Sequence, residues 1–142
     1  MMFSYSRLSL YSLLVFTSLL SGCQAPANSP LQCVAGERQQ QTTLYFGLNR
    51  PEGAAITQSE WQQFVDQEVT PRFRDGLTVV NADGQWLGNN GDVVREKSKT
   101  LMLIYAQDNA HQQAIEAIRH AYKVRFAQES VMRVDLPICV DF

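Results

Sequence analysis

Residues 42–65, TTLYFGLNRPEGAAITQSEWQQFV, pass from a strand through a turn into a helix, and that order decides the fold. Thr42 to Leu48 is a run of β-prone side chains, closed by the turn-rich Asn49-Arg50-Pro51-Glu52-Gly53. Thr57 and Glu60 have capping-box spacing: the hydroxyl accepts the amide of the third helical residue, and the carboxylate reaches back to the cap amide. Ile56 and Trp61 flank the box as the halves of a hydrophobic staple. Trp61, Phe64, Val65 and Val69 then keep helical spacing until Pro71, which cannot continue a helix.

Toward the C-terminus, Gly76-Leu77-Thr78-Val79-Val80 opens a second strand. Asp83-Gly84 and Gly88-Asn89-Asn90-Gly91-Asp92 are turn chemistry around Trp86 and Leu87. Val93 to Ala106 returns as a third strand, so the two form a long hairpin. A second helix begins near Asp108 or Asn109, with Ile115, Ile118, Tyr122 and Phe126 on one face. Arg119, Lys123 and Arg125 lie toward its C-terminus, where the helix dipole favours cations. Val131 to Leu136 alternates as a last strand. The order β-α-β-β-α-β predicts an α+β, ferredoxin-like two-layer sandwich, an antiparallel sheet with two helices on one face.

The whole chain is 142 residues, 45% hydrophobic, with a formal net charge of −2. That length accommodates one compact domain, and a charge near zero speaks against nucleic acid as a partner. In residues 1–22 a single cation, Arg7, precedes an apolar stretch from Leu8 to Leu20, too short for a spanning helix and of the length of a signal-peptide core. Leu20-Ser21-Gly22-Cys23 resembles the bacterial lipobox, whose cysteine sulfur receives a diacylglyceryl group. Lipidation at Cys23 would hold the chain on a membrane, since each buried methylene adds about 0.8 kcal/mol and several acyl chains act together. Gln24 stands where an inner-membrane retention signal would usually show Asp, so the expected address is the periplasmic leaflet of the outer membrane, with a Gram-positive surface as the alternative. Residues 23–41, rich in Gln and carrying two prolines, read as a polar tether to a single domain over 42–142.

Antiparallel pairing of the first and last strands brings Cys33 and Cys139 toward one sheet edge. With Cys23 consumed by lipid, these two remain as an even pair in a compartment that permits disulfides. A bond closing a loop of about 100 residues contributes at most about 4–5 kcal/mol in the chain-entropy model.

The runs Leu44-Tyr45-Phe46-Gly47-Leu48, Val69-Thr70-Pro71-Arg72-Phe73 after Trp61, Asp75-Gly76-Leu77-Thr78-Val79, Gln85-Trp86, Val94-Arg95-Glu96, Ala121-Tyr122-Lys123 and Gln128-Glu129-Ser130-Val131 together resemble domain-of-unknown-function family 3574. The resemblance implies a secreted or lipid-anchored single domain and carries over no catalytic residues.

Two helices cover one face of a four-stranded sheet, leaving the other to water, a ligand or a partner. With Leu44, Phe46, Met132 and Val134 assigned to the helices, the open face is expected to carry Tyr45, Leu101, Leu103, Tyr105 and Arg133. Such a face suits a periplasmic protein or a homodimer, unless the tether or the Trp86 hairpin folds over it. Tyr45, Tyr105 and Arg133 would serve a small enzyme if they lined a cavity at a dimer interface. Arg95, Lys97 and Lys99 alternate along one side of the hairpin, either touching anionic envelope surfaces or guarding an exposed strand against pairing. Glu96, Glu129 and Arg133 offer acid–base chemistry only if the fold gathers them. His111 and His120 lie about half a turn apart on their helix and cannot share a metal. The cluster Asn81, Asp83, Asn89, Asn90 and Asp92 lacks calcium-loop spacing. No phosphate loop or nucleophile elbow is present, and neither a metal nor a cofactor is expected.

Overall fold

The first strand, β1 (Glu37–Gly47), begins five residues earlier than Thr42, because the glutamine run pairs in the sheet instead of trailing from it. In the computed structural model, which describes residues 31–87 and 91–142, Glu37 to Gln41 lie opposite Val140 to Leu136 of β4 (Met132–Val140). Residues 37–41, read from the sequence as the end of the tether, are therefore part of the last strand's partner. Extended backbone with a continuous ladder on one side needs no apolar side chains to be ordered.

Thr57 caps α1 (Gln58–Phe64) as its spacing predicts. Its hydroxyl accepts the Glu60 amide at 3.2 Å, and Glu60 Oε2 accepts the Thr57 amide at 2.9 Å. Ile56 and Trp61 are both buried, completing the staple. The helix then widens into a π-helical turn over Val65–Val69, closed by the Thr70 amide donating to the Val65 carbonyl, and ends before Pro71. Both Val65 and Val69 remain in the core. The long helix α2 (Asn109–Phe126) starts at Asp108, whose Oδ1 accepts the His111 amide at 2.8 Å. It ends at Ala127, in the left-handed region at φ 53°, with the Gln128 amide returning to the Lys123 carbonyl.

Between the helices run β2 (Thr78–Leu87) and β3 (Val93–Tyr105), and the spatial order is β2-β3-β1-β4, antiparallel throughout. This is the expected ferredoxin-like arrangement. Phe46 lies at its centre, edge-on to Trp61, Phe64 and Tyr122 at centroid distances of 5.2, 5.9 and 4.6 Å. Ile115, Ile118, Tyr122 and Phe126 fill the α2 side as their spacing predicts. Cys33 and Cys139 are disulfide-bonded, tying the segment before β1 to the end of β4.

The register corrects the expected face of β3. Leu44 lies opposite Leu101, and Thr42 opposite Leu103, so these residues share the helix-covered side. Leu101 and Leu103 are 0% exposed and Tyr105 is buried, whereas Ile104 is 46% exposed. A strand apolar at both parities has no alternation to reveal its inward set, and a slip of one residue exchanges the faces. The same correction holds for β4. Leu44 opposes Arg133 and Thr42 opposes Asp135, so Arg133 points to the helix side. Met132 and Val134, expected under the helices, are exposed on the open face.

Candidate binding face and cleft

On the open side, β1 contributes Tyr45, Thr43 and Gln41, and β3 contributes Thr100, Met102 and Ile104. Val80 of β2 and Met132, Val134 and Leu136 of β4 extend the surface to both edges. Met132 is 56% and Leu136 51% exposed, and none of these ten side chains is charged. The sheet thus presents an apolar centre with hydroxyl and amide groups interspersed. Of the five residues expected here, Tyr45 alone occupies this face.

At one end of the face, a cleft of about 560 Å³ is walled by Tyr45, Trp86, Val94, Glu96, Glu129 and Met132. Glu96 lines it from β3 and is partly buried. The Asn49 amide donates to Glu96 Oε1 at 2.7 Å, fixing the carboxylate across β1. Two glycines flank it: Gly84 is its partner on β2, and Gly47 lies beside it on β1. A Cβ at Gly47 would come 2.5 Å from Glu96 Oε1, so the carboxylate occupies the space that any other residue would fill. Behind Gly47, the Tyr122 hydroxyl donates to its carbonyl at 2.7 Å. Burial, with the negative charge of Glu96 adding to it, raises the Tyr122 hydroxyl well above the usual tyrosine range.

Among the described residues Glu96 has no salt-bridge partner. Arg50, which also borders the cleft, is engaged by Glu60 at 2.6 Å and lies over the Phe126 ring. Glu60 in turn is held down to about 2, first by the Thr57 amide and then by Arg50.

Tyr105 and Arg133 meet on the opposite side, in a polar network under α2. Thr42 donates to Asp135 Oδ1 at 2.5 Å, and the Tyr105 hydroxyl, also 2.5 Å from Thr42 Oγ1, supplies its own proton to that oxygen. Arg133 binds Asp135 at 2.9 Å, Glu116 at 2.9 Å and the Gln112 amide oxygen. Desolvation works against the Arg133 charge, but hydrogen bonds to Asp135 and Glu116 outweigh it and raise its pKa. The charged parity of β4 turns inward because α2 supplies these partners. Tyr45 is on the other face, so the expected gathering of Tyr45, Tyr105 and Arg133 in one cavity does not occur. Glu96 and Glu129 do share the cleft, without Arg133.

Arg95, Lys97 and Lys99 fall on one side of the hairpin, yet they form no free basic row. Lys97 pairs with Asp83 at 2.6 Å. Lys99 is buried, donating to Gln58 Oε1 at 2.6 Å and Asn81 Oδ1 at 2.5 Å. These bonds also occupy two oxygens of the Asn/Asp cluster, while Asn89 and Asn90 lie outside the described residues. His111 stacks on Tyr105 at 5.0 Å and pairs with Asp108, so it is part of the helix start. Cys23 lies outside the described residues.

Sequence reasoning singled out Glu96 and Glu129 but missed the open-face places of Met132 and Ile104 and the cleft itself. Gly84, opposite Glu96 across the hairpin, and Gly47 at the end of the neighbouring strand were the available signal.

An antiparallel β-α-β-β-α-β sheet with an uncovered apolar face defines a ferredoxin-like α+β domain. The family described as "Protein of unknown function (DUF3574)" matches residues 41–142, and the chain belongs to it. No curated protein matches the chain. Among solved structures, a phage SAM lyase in complex with S-methyl-5'-thioadenosine is similar at a TM-score of 0.53 and 18% identity, covering 79% of this chain and 97% of the other. CutA from Synechococcus elongatus is similar at a TM-score of 0.48 and 10% identity, over 72% and 78% of the two chains. The likeness to the lyase is one of fold.

Proposed function

We propose that the chain is a lipid-anchored docking module of the cell envelope, whose open sheet face packs against a second copy of itself. Cys23 carries the lipid, and the polar residues after it space the domain from the periplasmic leaflet of the outer membrane. The observation that carries the docking half is the run of exposed apolar side chains, Val80, Ile104, Met132, Val134 and Leu136, on a face without charge at its centre. A charged partner would have to desolvate its charges against this surface, whereas an identical face meets it apolar group to apolar group. Four strands about 4.8 Å apart, with nine residues rising about 3.3 Å each, cover roughly 570 Å², so two copies bury on the order of 1,100 Å², past the ~1,000 Å² expected of a biological interface.

The test is sedimentation of the full chain extracted from membranes in detergent. A dimeric protein mass is expected, falling to a monomer in Ile104→Asp/Val134→Asp while the circular dichroism stays native. A monomer in the unsubstituted chain overturns the second copy as occupant. Separately, Cys23→Ser is expected to move the protein from the membrane to the soluble fraction; continued partitioning with lipid overturns the anchor.

A further inference from the structure

We infer that the cleft at the end of the open face binds a small organic cation, an alkylammonium or guanidinium group carried on an apolar or aromatic body. The cleft is formed within one chain and needs no second copy, although Tyr45 and Met132 belong both to it and to the open face.

Three features of the lining select that chemistry. The first is charge: the lining carboxylates are Glu96 and Glu129, and the one cation at the rim, Arg50, is already committed to Glu60. The second is the mounting of Glu96. Its carboxylate is oriented by the Asn49 amide, and its neighbours Gly47 and Gly84 put no side chain beside it. A carboxylate held by one backbone amide retains acceptor capacity, since its two oxygens offer about four lone-pair sites. The third is the wall. Tyr45 and Trp86 contribute aromatic rings and Met132 and Val94 apolar surface, which suit the body of a ligand and, for the rings, its charge. At about 560 Å³ the cleft is within the range that encloses a small molecule. An anionic ligand of the same shape would meet two carboxylates and, among the described residues of the lining, no uncommitted cation.

Phenethylamine serves as the probe, with 2-phenylethanol and 3-phenylpropionate as neutral and anionic counterparts, titrated into the full chain in detergent and followed by amide and indole chemical shifts. The expected result is saturable shifts at Gly47, Gly84 and Trp86 for the amine, weaker for the alcohol and absent for the acid. Glu96→Gln preserves shape and is expected to weaken amine binding at least about tenfold while leaving the alcohol unchanged. Gly84→Ile is a second variant, because a Cβ there meets its nearest neighbours at 3.7 and 3.9 Å and the fold accommodates it. Its longer side chain fills the cleft, and loss of amine binding with native chemical-shift dispersion is expected. Equal binding of the acid, undiminished amine binding in Glu96→Gln, or no saturable shift up to about 10 mM amine overturns the inference.

Discussion

The hydroxyls of Thr42 and Tyr105 lie 2.5 Å apart beneath α2, joining the middle of β1 to the last residue of β3. Thr42 is fully buried and donates its own hydrogen bond to Asp135, so the pair connects three strands through one oxygen. Removing the hydroxyl in Tyr105→Phe deletes its bond to Thr42 and the longer one it accepts from Gln112, and is expected to cost about 1–1.5 kcal/mol. Thr42→Val removes the acceptor of the buried Tyr105 proton and the donor to Asp135, leaving the phenol only the amide it accepts from Gln112, and is expected to cost about 2–3 kcal/mol. Urea denaturation of both variants measures the difference; equal losses would mean that Tyr105 finds another acceptor.

The parity of β3 is directly testable. Leu101→Ala removes a fully buried side chain and is expected to cost about 2–5 kcal/mol. Ile104→Ser, one strand face over, is expected to change the monomer's stability by no more than about 1 kcal/mol. The reverse order of the two in thermal melts would contradict the register.

Phe46 touches Trp61, Phe64 and Tyr122 at once, so its truncation removes several edge-to-face contacts together. Phe46→Ala is expected to lose about 3–5 kcal/mol. Phe46→Leu retains most of the volume and should lose less than half of that. Denaturant midpoints distinguish the two.

The Cys33–Cys139 bond spans 106 positions and closes the edge where β1 meets β4. Cys33→Ala/Cys139→Ala is expected to lower stability by about 2–4 kcal/mol. Amide exchange should rise first at Glu37 to Gln39, whose ladder partners are Val140 to Ile138. Uniform acceleration across the sheet would instead point to global loosening.

Glu60 supplies a pH dependence of known sign. Its folded value, about 2, lies below its ordinary 4.5, so it stabilises the fold above 4.5, and that contribution fades as pH falls toward 2. The stability gap between the unsubstituted chain and Glu60→Gln should therefore be full at neutral pH and close through that window. A gap that stays constant down to pH 2 would remove the Thr57 amide and Arg50 as the cause.

The element order, the Thr57–Glu60 box, the Ile56–Trp61 staple and the inward row Ile115, Ile118, Tyr122, Phe126 were all legible, since each rests on spacing within one segment. The pairing of Cys33 with Cys139 followed from topology once that order was known. The strand faces were not legible. Leu101 to Tyr105 is apolar at every position, and Arg133 and Asp135 look like outward residues until Glu116, Gln112 and Thr42 are placed around them.

What residues 31–142 determine by themselves is therefore local and topological: caps, helical faces, turns and the succession of strands. Only the tertiary structure decided which side of the sheet is greasy and open, and that Tyr45, Trp86, Glu96, Glu129 and Met132, drawn from separate segments, share one cleft. The reason is physical: inter-strand register assigns faces, and register is a relation between distant segments that no single stretch of chain contains.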